Sequence, residues 1–427
     1  MTQLEVNPLP GVASSPSQWE LFERAAAFGA CFIIGSRLIL YQQITIGYLL
    51  AFALVPVVLP VAWRVRAVRA LLAVVVICLI SGLVLAAFRG QFRGLNRTLM
   101  VMDSVEILGV AATAVVLYWA MKRLGPGWVA VAYSLGMLVF VNQTSDLYST
   151  NPWRFGYALP VSLLILAIAA VARNLTADLV GMIVVVGVAV VDGGRSSLAS
   201  KLIALLLVVF WMLRSNRNRM RVNVFGVLLS LGLLAWTIQA VLQSLLLDGI
   251  LGEQLQAKSQ AQVLTSGGSL ILGGRPEAGA TIALFIHRFV GFGLGVRPSW
   301  ADVEAARSGM AAVGYDPNSG YVDHYMFGDG FRLHSMAGDL WTAFGLAGIA
   351  LCLVIGWHCI KSIALGPTRR GADALILMCT TQTLWNLGFS PWYSSISVLT
   401  LLLPLLWYRL PEAQGPPLRA ELDGMRA

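Results

Sequence analysis

The sequence is poor in charged residues and lacks the residue patterns typical of metal sites. Only 12% of its 427 residues are charged, whereas about a quarter are charged in an ordinary soluble domain. Its five cysteines fall in apolar runs without CxxC or Cys/His spacing, and it has neither a DxD motif nor a compact set of histidine and aspartate ligands. We therefore expect no disulfide framework, no metal and no other cofactor.

The first twenty residues also lack a secretory signal. They are polar, contain Pro8, Pro10 and Pro16, and have no charged start, short apolar core or small-residue cleavage site. We therefore expect the first apolar segment to stay in the membrane.

Apolar residues, by contrast, are abundant, at 57% of the chain. Apolar stretches of about 17 to 25 residues are long enough to cross a bilayer as helices. The sequence predicts about twelve such spans. They lie near residues 22–40, 45–63, 69–88, 100–121, 127–143, 158–172, 176–192, 196–213, 222–247, 337–357, 373–389 and 393–409. The predicted fold is therefore one all-α integral membrane domain.

Basic residues between the predicted spans give the orientation. Arginine and lysine cluster on one side of a twelve-span arrangement, which the positive-inside rule assigns to the cytoplasm. The clusters are Arg64, Arg66 and Arg69; Lys122 and Arg123; Arg214, Arg217, Arg219 and Arg221; and Lys361, Arg369 and Arg370. We thus predict a multi-pass protein of the bacterial inner (cytoplasmic) membrane, with both termini inside.

This topology divides the chain into five parts. They are a cytoplasmic tail at 1–20, spans one to nine within 21–247, a large outer (periplasmic) loop with short helices at 248–336, spans ten to twelve within 337–410, and a cytoplasmic tail at 411–427. The basic inner loops are interpreted as orientation signals and contacts to anionic lipid, and we expect no nucleic-acid partner.

Arginines on the predicted outer side are the more informative cations. Few acids accompany most of them, so they suggest an anionic substrate held at the outer leaflet. They are Arg89, Arg93, Arg97, Arg195, Arg275, Arg288, Arg297, Arg307 and Arg332. The alternative is a set of ordinary salt bridges with Asp192, Glu277, Asp302, Glu304 and Asp329.

Two stretches of the outer side stand out. In "VVDGGRSSLASKL" only a few polar residues separate two spans, so Arg195 must lie at the membrane surface, where an unpaired cation is costly. In "GGRPEAGATIALFIHRFVGFGLGV" the apolar residues Ile282, Phe285, Ile286 and Phe289 repeat at helical spacing. This pattern predicts a short amphipathic helix that lies on the membrane or on the bundle.

The order of motifs resembles the O-antigen ligase and polymerase superfamily, whose members use polyprenyl-diphosphate-linked glycans at the outer leaflet. An arginine turn precedes a basic inner loop, a large outer loop with Gly-Arg and "GFGLG", and a histidine, His334, that glycines follow at +11 and +14. The resemblance implies a GT-C-like fold. It also implies that Arg195 and Arg275 bind the diphosphate and that His334 activates the acceptor hydroxyl.

This sequence departs from the family pattern at three positions. Ser335, Ala343 and Gly279 stand where asparagine, an acidic residue and tryptophan are often found. These departures favour a polymerase of surface polysaccharide or exopolysaccharide over a ligase that uses lipopolysaccharide core, without separating the two.

The residue chemistry is consistent with a metal-independent, inverting glycosyltransferase. Arginines would neutralise the diphosphate leaving group, and a histidine is suited to act as base at neutral pH. We expect His334, Arg195 and Arg275 to be catalytic and Arg89, Arg93, Arg97, Arg288 and Arg332 to bind substrate. The partners would be the lipid-linked oligosaccharide donor, a glycan or glycolipid acceptor, the bilayer and other polysaccharide assembly proteins. A transporter or flippase of polyprenyl-linked sugar and a non-catalytic scaffold are the alternatives.

Overall fold

The structure is a computed structural model that describes residues 17–192, 194–215, 275–316, 320–366 and 373–409, with isolated positions between 226 and 260. Several predicted parts therefore lie outside the described residues, apart from those isolated positions: the ninth span at 222–247, the first part of the large loop, residues 1–16 and 411–427 of the tails, and the inner arginines at 217, 219, 221, 369 and 370.

Helices dominate the described residues. They are α1 Gln18–Ser36, α2 Ile46–Trp63, α3 Arg66–Arg93, α4 Arg97–Leu124, α5 Pro126–Val139, α6 Asp146–Thr150, α7 Ala158–Ala172, α8 Leu175–Asp192, α9 Arg195–Ser215, α10 Glu277–His287, α11 Trp300–Ala311, α12 Met336–Phe344, α13 Leu346–Leu365, α14 Asp373–Phe389 and α15 Trp392–Arg409. Two π-helical turns, Trp153–Tyr157 and Val322–Met326, lie among them.

Six segments within the described ranges form helices that are long and apolar enough to cross a membrane. The chain is therefore a multi-pass membrane protein. The six segments are Ile46–Trp63, Arg66–Gly90, Arg97–Leu124, Trp153–Ala172, Ser196–Arg214 and Leu346–Leu365. Shorter apolar helices occupy Pro126–Val139 and Leu175–Val191. The total of twelve spans stays a prediction.

The first and second predicted spans are joined differently from the prediction. Helix α1 ends at Ser36, and Arg37 takes a left-handed φ of 48°. Residues 39–40, predicted to be helical, instead begin a small antiparallel pair, β1 Ile39–Tyr41 and β2 Ile44–Thr45. The Thr45 hydroxyl then accepts a hydrogen bond from the Tyr48 N–H and caps the start of α2.

The predicted tenth span, 337–357, is wrong as a single helix. Gly345 has φ 65° and ψ −147°, a conformation open essentially to glycine alone, and it ends α12 and begins α13. A Cβ on Gly345 would lie 2.6 Å from the Val290 carbonyl oxygen. The crossing helix is therefore α13, and α12 is a separate short helix before it.

The basic connections of the sequence gather at one end of the bundle. Arg123 Nε lies 3.4 Å from a Glu23 carboxylate oxygen, which joins the end of α4 to the start of α1. Lys122 Nζ lies 5.4 Å from the centre of the Tyr408 ring, near the end of α15. These contacts agree with the predicted grouping of basic residues, and the large loop covers the opposite end.

The described part of the large loop has its own apolar core. It joins α10, α11 and the Val322–Met326 turn to the bundle through Trp341 of α12. Helices α10 and α11 pack closely because Gly279 and Gly309 face each other; a Cβ on Gly279 would lie 2.3 Å from the Gly309 carbonyl oxygen. The predicted amphipathic helix is confirmed as α10, with Ile282, Phe285 and Ile286 exposed.

The "GFGLG" segment attaches this loop to the membrane helices. The N–H groups of Phe292 and Gly293 donate to the Thr342 carbonyl at 3.0 and 2.9 Å, and the Leu294 N–H donates to the Gly82 carbonyl at 3.1 Å. Gly293 has φ 111°, and a Cβ there would lie 2.6 Å from the Ala86 backbone nitrogen. The glycines thus let the loop backbone touch α3 and α12 directly.

Candidate functional site

His334 lies two residues before α12, at the junction of the large loop and the bundle. Its φ of 51° is left-handed, which is uncommon for a residue with a side chain and often marks a functional site. Ser335 follows as the N-cap: its hydroxyl accepts from the Gly338 N–H and donates to the Leu387 carbonyl of α14. The histidine is therefore held in a constrained turn.

Asp339 of α12 holds this turn in place. One carboxylate oxygen accepts from the Leu333 N–H at 2.8 Å, and the other accepts from the Trp392 N–H at 2.9 Å. The residue before His334 is thereby tied to the start of α15. The sequence analysis did not identify this role of Asp339.

Two tyrosines of the large loop lie against the imidazole. The Tyr325 ring stacks on His334 with centroids 5.0 Å apart, and the Tyr321 ring lies 6.1 Å away. The Tyr321 hydroxyl is 3.4 Å from His334 Nδ1 and donates to Glu277 Oε1 at 2.7 Å. A chain of polar contacts thus runs from His334 through Tyr321 to Glu277 at the start of α10.

The charged groups near His334 are mostly positive. The pKa of His334 is lowered, and burial is the largest cause. The charge of Glu277 raises this pKa, whereas the guanidinium groups of Arg275 and Arg332 lower it. None of the ion pairs among the described residues includes Arg275 or Arg332. Within the described ranges, the site therefore combines an imidazole whose lowered pKa favours the neutral form with two arginines that form no direct ion pair.

A cleft of about 740 Å³, including space open to solvent, adjoins Arg332. Three acids line it: Asp103 and Glu106, one turn apart on α4, and Asp339. Arg332 lies within electrostatic range of all three. The remaining polar or aromatic lining comes from Gln43, Phe331, Thr342, Phe344, Trp392 and Tyr393. The cleft is therefore a mixed-charge site with hydrogen-bonding groups on several sides.

The cleft and His334 are neighbours. The Tyr325 ring, which stacks on His334, has its hydroxyl 3.4 Å from that of Tyr393, a cleft residue. Arg332 lines the cleft and also acts on His334. Tyr325 and Arg332 therefore lie between the cleft and the imidazole.

The structure brings only some of the predicted arginines to this site. Arg275 and Arg332 act on His334, whereas Arg288 lies over the Phe292 ring at 5.5 Å. Arg89 is half-buried near the end of α3 and Arg97 is exposed at the start of α4; no contact in the described ranges links either to His334. Arg93 ends α3, and its side chain lies outside the described residues.

Arg195 begins α9, and its position at the membrane surface stays a prediction. Its side chain lies outside the described residues. Helix α9 packs on α14, and the Ser200 hydroxyl lies 3.0 Å from Gln382 Oε1 of that helix. Because α14 also accepts the Ser335 hydrogen bond, the start of α9 belongs to the surroundings of His334.

Ordinary salt bridges account for little of the outer positive charge. Arg307 Nη2 contacts both Asp323 carboxylate oxygens at 2.6 Å, a pair that the sequence analysis did not name. His287 Nε2 lies 3.4 Å from the buried Asp302. Glu277, which the salt-bridge alternative would pair with an arginine, takes the Tyr321 hydroxyl instead. In the part of the chain that the structure describes, no cluster of three metal-ligating acidic, histidine or cysteine side chains occurs.

These observations define the class: a helical, integral, multi-pass membrane protein with a polar site where its large loop meets the bundle. No protein-family model, curated protein or solved structure matches the chain. Its function is therefore argued from the geometry of the site and from the motif resemblance.

Proposed function

We propose that this protein is a metal-independent glycosyltransferase that acts at the outer face of the inner membrane. It would transfer or polymerise an oligosaccharide carried on a polyprenyl diphosphate, as an O-antigen or exopolysaccharide polymerase or an O-antigen ligase does. The observation that carries the proposal is the position of His334, 3.4 Å from the Tyr321 hydroxyl and near Arg275 and Arg332, which form no direct ion pair among the described residues.

The arginines suit the leaving group of this reaction. When the bond between the anomeric carbon and the diphosphate breaks, the electron pair stays on the diphosphate oxygen. Guanidinium groups bind such oxygens with charge-assisted hydrogen bonds that strengthen as charge develops. Arg275 and Arg332 would supply this stabilisation, and Arg195 is retained as a third predicted contact.

His334 suits the attacking group. The acceptor hydroxyl forms the new bond to the anomeric carbon and gives its proton to the imidazole, with inversion at that carbon. A base must be unprotonated before the reaction, and burial of His334 favours that form at neutral pH. The acidic cleft beside Arg332 would hold the acceptor, because carboxylates accept hydrogen bonds from sugar hydroxyls and Trp392 and Tyr393 offer faces for sugar rings.

The test is a transfer assay with the full chain in nanodiscs. A polyprenyl-diphosphate-linked oligosaccharide is supplied with and without an acceptor glycolipid, and products are separated by size. We expect chain growth or transfer that persists in EDTA, is lost in His334→Ala, and survives in His324→Ala, a matched variant at an exposed histidine. Full activity of His334→Ala would refute the mechanism.

A transporter of lipid-linked sugar is the second candidate. Two observations favour it: the helix break at Gly345, and buried Lys201 and Glu106 inside helices that could cross the membrane. In sealed proteoliposomes, movement of the lipid-linked sugar across the bilayer without bond formation would support this candidate and contradict the transferase.

A further inference from the structure

Glu277, near His334, is a buried carboxylate with one oxygen that lacks a hydrogen-bond partner among the described residues. It is 91% buried at the start of α10, since its exposed fraction is 9%. Its Oε1 accepts from the Tyr321 hydroxyl, whereas its buried Oε2 has no hydrogen-bond partner. An uncompensated buried carboxylate oxygen costs free energy, so a role in the site is a better explanation than packing.

The direction of the hydrogen bonds follows from proton counting. A neutral tyrosine has one hydroxyl proton, and here it points to Glu277 at 2.7 Å. The Tyr321 oxygen then has lone pairs free to accept from His334 Nδ1, 3.4 Å away. Burial, and after it the charge of Glu277, raise the pKa of Tyr321, so that the phenol keeps its proton throughout the working pH range.

We propose that Glu277 and Tyr321 form a positioning relay that fixes the His334 tautomer with the proton on Nδ1 and leaves Nε2 as the base. This inference rests on the proposed function. In many active sites an acid forms a hydrogen bond to the catalytic base and orients it. Here Glu277 would be the acid and His334 the base, and Tyr321 lies between them.

The relay also explains why a carboxylate stands among cations. When Nε2 takes the acceptor proton, the ring becomes an imidazolium beside two guanidinium groups. Among the described residues, Glu277 is the carboxylate that raises the pKa of His334, so it would stabilise the charged ring that the reaction produces. The charged groups and titratable rings that face His334 are Glu277, Arg275, Arg332, Tyr321 and Tyr325.

The experiment measures the pH profile of transfer for the wild type, Glu277→Gln and Tyr321→Phe. Glu277 raises the His334 pKa, so its neutralisation moves the acid limb of the rate to lower pH and weakens the base. We expect rates at neutral pH to fall on the order of tenfold in both variants. Glu304→Gln, at an exposed acid of the same loop, leaves rate and profile unchanged.

A second measurement does not depend on activity. The chain has four histidines, so NMR of histidine-labelled protein in nanodiscs can follow the His334 titration, assigned with His334→Ala. A downward shift in Glu277→Gln supports the relay even if the wild type transfers no sugar, in which case only the proposed function fails. Unshifted titrations and rates within twofold of the wild type, in folded Glu277→Gln and Tyr321→Phe, would overturn the relay.

Discussion

Arginines at opposite ends of the bundle, buried Arg409 at one end and half-buried Arg275 with exposed Arg332 at the other, differ in their partners. At the basic end, Arg409 is 9% exposed, forms an ion pair with Asp373 and donates to the Ser362 hydroxyl at 3.1 Å. At the loop end, Arg275 and Arg332 face a neutral histidine. Arg409 forms a direct ion pair, whereas neither loop arginine forms one among the described residues, although the cleft acids Asp103, Glu106 and Asp339 lie within electrostatic range of Arg332.

Under the proposed function, this difference distinguishes a structural arginine, Arg409, from arginines that bind substrate. Burial of a guanidinium is costly unless an acid pairs with it, and Asp373, with Asp178 nearby, meets that need at the basic end. At the loop end the nearby carboxylate, Glu277, is engaged by a tyrosine. The contrast can be tested by variants that affect stability at one end and activity at the other.

The largest effect is expected at the basic end. Arg409→Ala leaves the buried Asp373 without its cation, so the free energy of unfolding should fall by about 3–5 kcal/mol, measured as a lower thermal midpoint of the solubilised protein. Arg409→Met combined with Asp373→Leu should recover most of that loss. A single variant as stable as the wild type would contradict the contrast.

At the loop end the effect should be on rate. Arg275→Ala should reduce transfer by about 10²–10³-fold, because one cationic contact to the leaving group is lost, while the thermal midpoint stays the same. The transfer rate of Arg275→Lys should lie between those of the wild type and Arg275→Ala, since lysine keeps the positive charge but lacks the planar guanidinium group. The control is Arg297→Ala, at an exposed arginine of the same loop. A loss of stability with normal rate would make Arg275 structural like Arg409.

The joint between loop and bundle should be sensitive to one methyl group. Gly345→Ala forces a Cβ to 2.6 Å from the Val290 carbonyl oxygen and strains a positive φ, at a cost of about 1–3 kcal/mol in the free energy of unfolding. Gly29→Ala, in α1 with nothing within 4 Å of its Cβ, should be neutral or stabilising. Equal thermal midpoints for both variants would show that the joint is not constrained.

The smallest effect is expected in the cleft. Asp103→Asn and Glu106→Gln should raise the KM for the acceptor about tenfold, since each removes a charged hydrogen-bond acceptor, and leave the KM for the donor unchanged. Asp146→Asn, at an exposed acid elsewhere, should change neither. A rise in the KM for the donor alone would indicate that the cleft binds the diphosphate and not the acceptor.

The sequence predicted the helices better than their joints. Long apolar runs identify spans because nothing else buries them, and α14 has the predicted bounds 373–389. The break at Gly345 was missed because glycine is common inside membrane helices, and only the contact with Val290 shows that it bends the chain. The hairpin at Ile39–Thr45 was missed because its apolar residues continue the pattern of the neighbouring spans.

The candidate site was predicted only through its motifs. His334 and Arg275 stand in recognisable positions, and the structure shows that they act on one another. Glu277 and Tyr321 carry no pattern that links them, because their contact arises from the packing of the loop. Asp103 and Glu106 were overlooked as two acids in an apolar helix, although an acid inside a span is itself a signal of function.

The joint at Gly345 also determines how far His334 stands from the membrane. Helix α13 has 20 residues, enough for about 30 Å, so it crosses the hydrocarbon layer without help from α12. In one straight helix, residues 340 and 348 would lie about 12 Å apart. Here a Cβ on Gly348 would be 2.1 Å from the Leu340 carbonyl oxygen. Helix α12 therefore folds across the end of α13, and His334 lies beyond the end of the helix that could cross the membrane. Under the proposed function this places the imidazole near the lipid head groups, where the diphosphate of a lipid-linked sugar would lie.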